Sequence, residues 1–251
     1  MKALITGASS GLGYEFAVQL SNLGYDLILV ARRKKKMEQL AKKLNTNVEI
    51  IELDLSSTYN CTQLYNKVKK HDIDLLINNA GFGLFGEFSD TKLDTELDMI
   101  DLNIKTVHTL TKLFLKEFKK KDKGCILNVA SAASFLPGPL MSTYYATKAY
   151  VLNLTLAISE ELRRDNSSVT IKALCPGPVD TEFNKVAKVK FNLKSLPSDY
   201  VVEYTIKRLF KGSNIIIPGM TTKIGIYLSK ILPINIKTKI SYNIQASKDK
   251  K

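Results

Sequence analysis

This sequence contains few cysteines, few histidines and no long apolar run. It has 251 residues, with three cysteines and two histidines. The cysteines are odd in number, lie far apart and form neither a C-x-x-C pair nor a Cys/His pair, which argues against a disulfide framework and a zinc site. We therefore expect Cys61, Cys125 and Cys175 to be buried or incidental thiols, and we expect no bound metal ion.

No apolar run approaches the ~18 residues that would cross a bilayer, and the first residues lead directly into a short strand and turn. They lack the apolar core of a secretory signal, so we expect a soluble, cytoplasmic protein. No linker rich in Pro, Gly or Ser divides the chain. The whole chain, 1–251, is therefore interpreted as a single domain, long enough to bury one large core.

Positive charge is concentrated in the last quarter of the chain. The formal net charge is +13, and residues 185–251 contain 14 Lys or Arg against 3 Asp or Glu, which gives +11 for this part. Such a basic patch is typical of proteins that bind nucleic acid, an anionic membrane surface or an acidic ligand. Lysine is abundant throughout, however, so a lysine-rich composition without a binding role is the alternative.

Short apolar runs alternate with helical patterns along most of the chain. This alternation predicts an α/β fold, a doubly wound parallel sheet of about seven strands with helices on both faces. Most of the strands end in Gly, Ser, Asn or Pro, at the edge of the sheet where open α/β folds bind their ligands. The predicted strands are 2–6, 26–31, 48–53, 74–78, 124–130, 169–175 and 214–217.

A glycine-rich turn follows the first predicted strand and leads into a helical pattern. This arrangement suits a dinucleotide, because glycine lets the backbone approach a pyrophosphate and the helix start presents free N–H groups to it. The residues predicted to hold the cofactor here are Gly7, Ser9, Ser10, Gly11, Leu12 and Gly13.

The second strand ends in cations instead of the carboxylate that usually binds an NAD ribose. Arg32 and Arg33 are followed by three lysines, with no acid before Glu38. Guanidinium groups can clamp a 2′-phosphate through paired hydrogen bonds, so the sequence predicts NADP(H) as the cofactor. A solvated basic helix start is the alternative interpretation.

A Tyr-Tyr-x-x-Lys segment lies in a helical pattern after the fifth strand. Residues three or four apart share a helix face, so either Tyr144 or Tyr145 could lie beside Lys148 and form an acid/base pair. An ordinary helix surface is the alternative. Asn103 is a notable polar residue inside the helical pattern of 93–119, where a capping or solvent-facing role is the alternative to a functional one.

Two segments of the last third have their own predictions. Residues 180–196 are polar, rich in lysine and weakly periodic, and are interpreted as a mobile substrate lid. Beyond them, four apolar residues fall on one helical face before Pro233, and 233–251 forms a basic tail. Docking onto the domain is the expected role of that face, and contact with lipid is the alternative. The four residues are Ile224, Tyr227, Leu228 and Ile231.

Taken together and in order, these motifs resemble those of the short-chain dehydrogenase/reductase family over residues 2 to about 181. Residues 6–13 match its T-G-x-x-x-G-x-G turn and 78–81 its N-N-A-G motif. The family's active-site tetrad is matched by Asn103, Ser131, Tyr144 and Lys148, a register that selects Tyr144 over Tyr145. Tyr145 is then expected to serve packing, and its change to Phe to be nearly silent.

The resemblance implies hydride transfer between a nicotinamide and a carbonyl or carbinol carbon. Ser131 would donate a hydrogen bond to the substrate oxygen, and Tyr144 would give or take the proton. Lys148 would lower the pKa of the phenol and hold the nicotinamide ribose, and Asn103 would anchor a water molecule. Further cofactor contacts implied by the resemblance, besides Tyr144 and Lys148, are Asp54, Leu55, Asn79, Ala80, Gly81, Pro176, Gly177, Val179 and Thr181.

The implied substrate is an aldehyde or ketone of moderate to large apolar size, such as a 3-oxoacyl or steroid-like compound, reduced with NADPH. The basic lid and tail suggest an anionic carrier, such as an acyl thioester. A non-catalytic NADP(H)-binding regulator is the competing interpretation. By the family's habit we expect a homodimer or homotetramer; no nucleic-acid partner is expected, and weak contact of the tail with a membrane surface stays open.

Overall fold

The structure, a computed structural model that describes residues 1–183 and 195–247, is built on one parallel sheet. Seven strands pair in the order β3-β2-β1-β4-β5-β6-β7 within the described residues. The predicted α/β class and parallel doubly wound sheet are thus confirmed. The strands are β1 (Lys2–Thr6), β2 (Asp26–Ala31), β3 (Val48–Glu52), β4 (Leu75–Asn78), β5 (Cys125–Val129), β6 (Thr170–Leu174) and β7 (Ile215–Ile216).

Helices connect the strands and cover both faces of the sheet. A π-helical turn, Asp101–Thr106, joins α4 to α5, and a 3₁₀ turn, Ala132–Phe135, follows β5. The helices are α1 (Gly11–Asn22), α2 (Lys34–Ala41), α3 (Thr58–Val68), α4 (Leu93–Ile100), α5 (Val107–Lys121), α6 (Ser142–Arg164), α7 (Ser198–Leu209), α8 (Met220–Ile231) and α9 (Ile234–Ala246).

The strands are apolar on both sides because each side meets a layer of helices. In β1, Ala3 and Ile5 belong to one buried cluster with Phe16 of α1, whereas Leu4 belongs to a second cluster with Phe114 of α5. Successive strand residues point to opposite faces, so these clusters are the cores on either side of the sheet. The arrangement explains why the strands are near-continuous apolar runs.

The strand order reverses direction at β1, and this reversal positions the site. β1 pairs with β2 on one side and with β4 on the other, so the connections leaving β1 and β4 turn away from each other. Such a switch point leaves a crevice at the carboxyl ends of the strands. The glycine-rich turn after β1 and the segment 79–81 after β4 both open into it.

The structure describes the two ends of the predicted lid and most of the predicted tail. Residues 184–194 of the lid lie outside the described residues. Its two ends are tied together, because Asp180 N donates to Leu196 O (3.0 Å) and Leu196 N donates to Pro178 O (2.9 Å). The tail contains a helix, α9, that the sequence interpretation did not predict, and the apolar face expected to dock is exposed on α8.

Within residues 1–183 and 195–247, no helix has both the length and the apolar character needed to cross a membrane. The three cysteines are buried and unpaired with one another, as predicted.

Candidate active site

A cleft of about 760 Å³ opens at the carboxyl edge of the sheet. The loops after β1, β2, β3, β4, β5 and β6 contribute to its walls, together with the start of α6 and the end of α9. Nearly all of the site residues predicted from the sequence line this cleft. The exceptions are Gly13 and Asn103, which lie behind the wall and support it.

The glycine-rich turn packs so closely against neighbouring atoms that residues larger than glycine would not fit. Gly7 and Gly11 have positive φ angles of 66° and 55°, where only glycine is free of strain. A Cβ on Gly13 would lie 2.4 Å from the Gly7 carbonyl oxygen. The start of α1 therefore packs directly on the turn, and its free N–H groups point towards the cleft, as anion binding at a helix start requires.

Thr6 and Asn79 fix this turn to the neighbouring strand. Thr6 Oγ1 accepts from the N–H groups of Asn79 (2.9 Å) and Ala80 (3.0 Å), and Asn79 Nδ2 donates to the carbonyls of Thr6 (2.9 Å) and Gly7 (3.3 Å). The Asn79 side chain thus supports the glycine-rich turn from behind, a positioning contact that the sequence alone did not reveal.

Arg33 lies across the mouth of the turn. Its Nε donates to Ser9 Oγ (3.0 Å) and its Nη2 to Ser10 Oγ (2.6 Å). Its Nη1 pairs with Glu182 at 2.7 Å, and Lys36 pairs with the other oxygen of the same carboxylate at 2.7 Å. These hydrogen bonds from Lys36 and Arg33 lower the pKa of Glu182 to about 2. A carboxylate is therefore already held by Arg33, one of the two arginines predicted to bind a 2′-phosphate, together with Lys36.

Arg32 is placed differently from Arg33. Its side chain is largely exposed and lies 3.6 Å from Asp54. Burial would raise the pKa of Asp54, but hydrogen bonds from Ser56 and the charge of Arg32 outweigh it and lower that pKa. The Leu55 side chain is buried beside Asp54 in the cleft wall. Of the two predicted arginines, only Arg33 contacts the glycine-rich turn among the interactions described.

Ser131 and Tyr144 meet at the centre of the cleft. Ser131 precedes the 3₁₀ turn, and its hydroxyl accepts from Ala133 N at 3.1 Å. The Tyr144 ring is buried on the first turn of α6; burial raises the pKa of the phenol, while a hydrogen bond with Ser131 acts in the opposite direction. The structure therefore brings together the predicted hydrogen-bond donor and the predicted acid/base.

Lys148 is one turn further along α6 and is also buried. Its Nζ donates to Val129 O (2.8 Å) and lies 5.9 Å from the centre of the Tyr144 ring. Burial lowers the pKa of Lys148 to about 8. Burial dominates the pKa of the Tyr144 phenol and raises it. The lowering of this pKa by the Lys148 charge stays a prediction.

Asn103 is fully buried in the π-helical turn between α4 and α5. Its Nδ2 donates to Phe82 O (2.9 Å) and Thr147 Oγ1 (3.1 Å), and its Oδ1 accepts from Phe82 N (3.1 Å). A Cβ on Gly81 would lie 2.8 Å from that Oδ1. The alternative of a solvent-facing Asn is thus excluded, and Asn103 ties the loop after β4 to α6.

The loop after β6 forms another wall of the cleft and lies against the glycine-rich turn. A Cβ on Gly11 would lie 3.2 Å from the Thr181 side chain, and a Cβ on Gly177 would lie 2.5 Å from Thr222 Oγ1. Pro176 and Val179 also line the cleft. The segment 176–181 therefore lies between the turn on one side and α8 on the other.

The half of the cleft beyond Tyr144 is apolar. Phe82, Met141 and Phe183 belong to one cluster around Tyr144, with the Phe183 ring centre 5.3 Å from that of Tyr144. Ile244 of α9 also lines this half. A substrate that reaches the Tyr144 hydroxyl therefore rests against apolar side chains.

Tyr145 lines the cleft, whereas the sequence interpretation gave it only a packing role. Its ring packs within the apolar cluster and against Gly138, where a Cβ would collide with the ring at 2.1 Å. Its hydroxyl is a hydrogen-bond partner of Gln245 and Ser241, both buried on α9. Tyr145 thus anchors α9 over the cleft, a contact that no local sequence pattern indicates.

Comparison with known proteins gives consistent results. The family model described as short chain dehydrogenase matches residues 1–190. An uncharacterized oxidoreductase of Staphylococcus epidermidis is 35% identical over 71% of this chain and 78% of its own length. The very-long-chain 3-oxoacyl-CoA reductase-B of Danio rerio is 28% identical over 79% of this chain and 66% of its own length.

Among solved structures, a short-chain dehydrogenase from Sphingobium yanoikuyae in complex with NADPH superposes with a TM-score of 0.79. The two sequences are 27% identical, and the match covers 92% of this chain and 96% of that one.

Proposed function

Because this chain belongs to the short-chain dehydrogenase family and is an oxidoreductase, we propose that it reduces an apolar ketone or aldehyde with NADPH. One observation carries the proposal. A single cleft places Ser131 and Tyr144 against an apolar wall, and the glycine-rich turn and Arg33 lie in the same cleft. The cleft thus holds a proton donor, a dinucleotide cradle and a hydrophobic pocket together.

The residues present fit a nicotinamide dinucleotide. Glycine at positions 7, 11 and 13 lets the turn pack closely on its neighbours, because a Cβ at any of them would press against other protein atoms. Gly7 and Gly11 line the cleft, so a pyrophosphate can approach the start of α1. Gly81, Pro176, Gly177 and Thr181 line the path from there to Tyr144. When bound, the dinucleotide supplies the hydride that reduction of a carbonyl needs.

The chain's own residues then handle charge and protons. Ser131 donates a hydrogen bond to the carbonyl oxygen, which polarises the carbonyl group. As negative charge develops on that oxygen, Tyr144 transfers its phenolic proton to it. Burial keeps this proton on Tyr144 until it is needed, because it raises the phenol's pKa. The Lys148 ammonium lies near enough to stabilise the phenolate left behind.

NADPH, as distinct from NADH, is supported by the cations at the end of β2. Arg33 and Lys36 already bind a carboxylate at 2.7 Å, and Ser9 and Ser10 align the guanidinium from behind. A 2′-phosphate carries more charge than a carboxylate and has more acceptor oxygens, so it can displace Glu182 from this cluster. The relative from Sphingobium yanoikuyae, solved with NADPH, supports the same choice.

The apolar wall favours a substrate with a hydrocarbon body, such as a 3-oxoacyl or steroid-like compound. Phe82, Phe183 and Ile244 offer it no hydrogen bond, so recognition there rests on burial of apolar surface. The likeness to a 3-oxoacyl-CoA reductase supports the acyl alternative.

A panel of carbonyl substrates assayed with NADPH and with NADH tests the proposal. We expect turnover of long-chain 3-oxoacyl thioesters or bulky ketones, faster with NADPH than with NADH, and little turnover of short polar carbonyls. Protein that binds NADPH but turns over no member of the panel would instead be a non-catalytic cofactor-binding regulator. Preference for NADH would overturn the assignment of the cofactor.

A further inference from the structure

The two helices that end the described chain expose apolar side chains in an unusual density. On α8, Met220 is 70% exposed and Ile231 is 78% exposed, and Ile224, Tyr227 and Leu228 are each more than half exposed. On α9, Ile236, Ile240 and Ile244 are exposed as well. Exposed apolar side chains in such numbers mark an interaction site.

The apolar face of α8 points away from the protein. With about 100° between successive residues of a helix, its five exposed apolar residues fall within an arc of about 100°. Ile226 and Ser229, which are buried, lie on the other side. The helix thus turns only Ile226 and Ser229 towards the protein, among its buried residues. Its stripe of Met, Ile, Leu and Tyr faces its surroundings, unlike a helix that docks by its main apolar face.

The exposed isoleucines of α9 form a second ridge. Ile236, Ile240 and Ile244 are spaced four residues apart and therefore lie along one side of the helix. The buried residues of this helix are Ser241 and Gln245, the partners of Tyr145. Polar contacts therefore hold α9 to the protein and leave its isoleucines outward.

The charged side chains that these two helices carry all have one sign. Lys223 and Lys230 lie beside the α8 stripe, Lys237 and Lys239 belong to α9, and the sequence has no Asp or Glu from 204 to 248. On α8 both lysines fall on the same border of the stripe, about 40° to 60° from Tyr227. Lys230 lies over the Tyr227 ring at 5.0 Å, so its stem follows the apolar surface while its charge reaches outward.

We propose that this surface, formed by α8 and α9, binds the face of a phospholipid bilayer that carries anionic headgroups. An apolar stripe bordered by lysines is the pattern of helices that lie in the membrane interface, with the stripe among the acyl chains and the lysines at the phosphates. The two helices follow each other in the chain, joined by Leu232 and Pro233, and each contributes one apolar ridge.

Charge complementarity favours lipid over a second copy of this chain. A two-fold contact pairs a patch with itself, which here would set lysines against lysines with no carboxylate between 204 and 248 to neutralise them. Nucleic acid would attract the lysines but leave the isoleucines and leucine in water. An anionic membrane is the partner that satisfies both features.

The position of α9 links this surface to the cleft. Ile244 belongs to the exposed ridge and also lines the apolar half of the site. A membrane-bound enzyme would therefore present the mouth of its cleft to the lipid. This consequence alone rests on the proposed function, since an apolar substrate could then enter from the bilayer.

Sedimentation with vesicles tests the surface by itself. We expect the full chain to pellet with vesicles of phosphatidylcholine and phosphatidylglycerol in about a two-to-one ratio, and far less with phosphatidylcholine alone. A variant with Lys223, Lys230, Lys237 and Lys239 all changed to Gln should partition about 1,000-fold more weakly, at about 1 kcal/mol for each lysine. A variant with Ile224, Leu228 and Ile231 changed to Ser should also lose binding, because the stripe is gone.

The matched control changes four exposed lysines elsewhere, Lys42, Lys69, Lys70 and Lys116, to Gln. It removes the same charge and should still pellet with anionic vesicles. A circular-dichroism spectrum and a melting temperature like those of the unaltered chain show that each variant is folded. The proposal is overturned if the unaltered chain stays in the supernatant, or if the control loses binding as much as the first variant. A change from dimer to monomer in the Ile/Leu→Ser variant, without any lipid binding, would assign the surface to a second copy.

Discussion

At the scale of single residues, burial sets the chemistry of Tyr144 and Lys148. Removing both groups from water favours their uncharged forms, so the pKa of the phenol rises and the pKa of the amine falls to about 8. Near neutral pH the site therefore holds a protonated phenol and a lysine that is still largely charged. That pairing suits a proton donor, which is what reduction of a carbonyl requires.

The pH dependence of the rate follows from Lys148. Below its pKa of about 8 the amine is an ammonium ion and can stabilise the phenolate; above that pKa the charge is lost. We expect kcat/KM for NADPH, which reports the free enzyme, to be level up to about pH 7.5 and to fall about tenfold per unit well above pH 8. Tyr144 keeps its proton across this range.

Lys148→Arg is the control for this profile. A guanidinium stays charged throughout, so the variant should be slower but its profile should lack the decline. If the unaltered enzyme kept a level profile to about pH 10, Lys148 would not act through its charge.

Arg33 and Arg32 should differ in their importance for NADPH. Arg33 donates to both serines of the glycine-rich turn, whereas Arg32 is largely exposed beside Asp54. Arg33→Ser should weaken NADPH binding by about 10- to 100-fold, the cost of lost charge-assisted hydrogen bonds, and change NADH binding little. Arg32→Ser should have a smaller effect. Equilibrium titration of nucleotide fluorescence measures all four affinities.

Glu182→Gln should change NADPH affinity in the opposite direction from Arg33→Ser. It removes the carboxylate that now pairs with Arg33 and Lys36, so NADPH should bind more tightly and NADH about equally well. Equal losses of NADPH and NADH affinity in the Arg33 variant would contradict the 2′-phosphate site.

At the scale of elements, α9 is attached to the rest of the chain through the side chain of Tyr145. Removing its hydroxyl in Tyr145→Phe takes away the hydrogen bonds to Ser241 and Gln245 while the ring continues to pack. We expect the free energy of unfolding to fall by about 1 kcal/mol and KM for an apolar substrate to rise, with NADPH affinity unchanged. This replaces the nearly silent effect expected from the sequence.

Thermal unfolding and steady-state kinetics of Tyr145→Phe measure the two effects. Ser241→Ala is the matched change on the other side of the contact and should shift both quantities in the same direction. An unaltered KM in both variants would show that α9 does not shape the substrate half of the cleft.

The sequence predicted the strands well because each is a short apolar run ending in a turn. Two local features were predicted less accurately, the length of β7 and the turn that carries Asn103. β7 was expected over 214–217 but pairs only over Ile215–Ile216, because an edge strand has one neighbour to define its length. The π-helical turn that carries Asn103 was not predicted, since the extra residue in a turn leaves no mark on helical periodicity over a few residues.

The C-terminal helices were predicted less well for a related reason. Periodicity identified the apolar stripe of α8 but not the direction in which it points, and it suggested docking where the structure shows exposure. α9 has isoleucines every fourth residue, yet its polar face is the buried one. Which face of a helix is covered depends on tertiary contacts such as Tyr145 to Gln245, which connect residues 100 positions apart.

At the scale of the whole molecule, positive charge and exposed apolar side chains are both concentrated in the last quarter of the chain. The excess of +11 in residues 185–251 includes the four lysines around the exposed surface of α8 and α9. If that surface binds an anionic membrane, its binding should weaken steeply as ionic strength rises towards about 1 M, where the screening length is about 3 Å. Insensitivity to salt would contradict a role for the lysines.

The roles proposed for Ser131 and Lys148 depend on Tyr144 being the proton donor. The direct test is turnover of an apolar ketone by the unaltered enzyme and by Tyr144→Phe, with NADPH affinity measured for both. We expect Tyr144→Phe to lose about 1,000-fold in kcat while binding NADPH as tightly as before, because its ring still packs against Phe183. A variant that keeps its turnover would contradict the assignment of Tyr144 and with it the proposed mechanism.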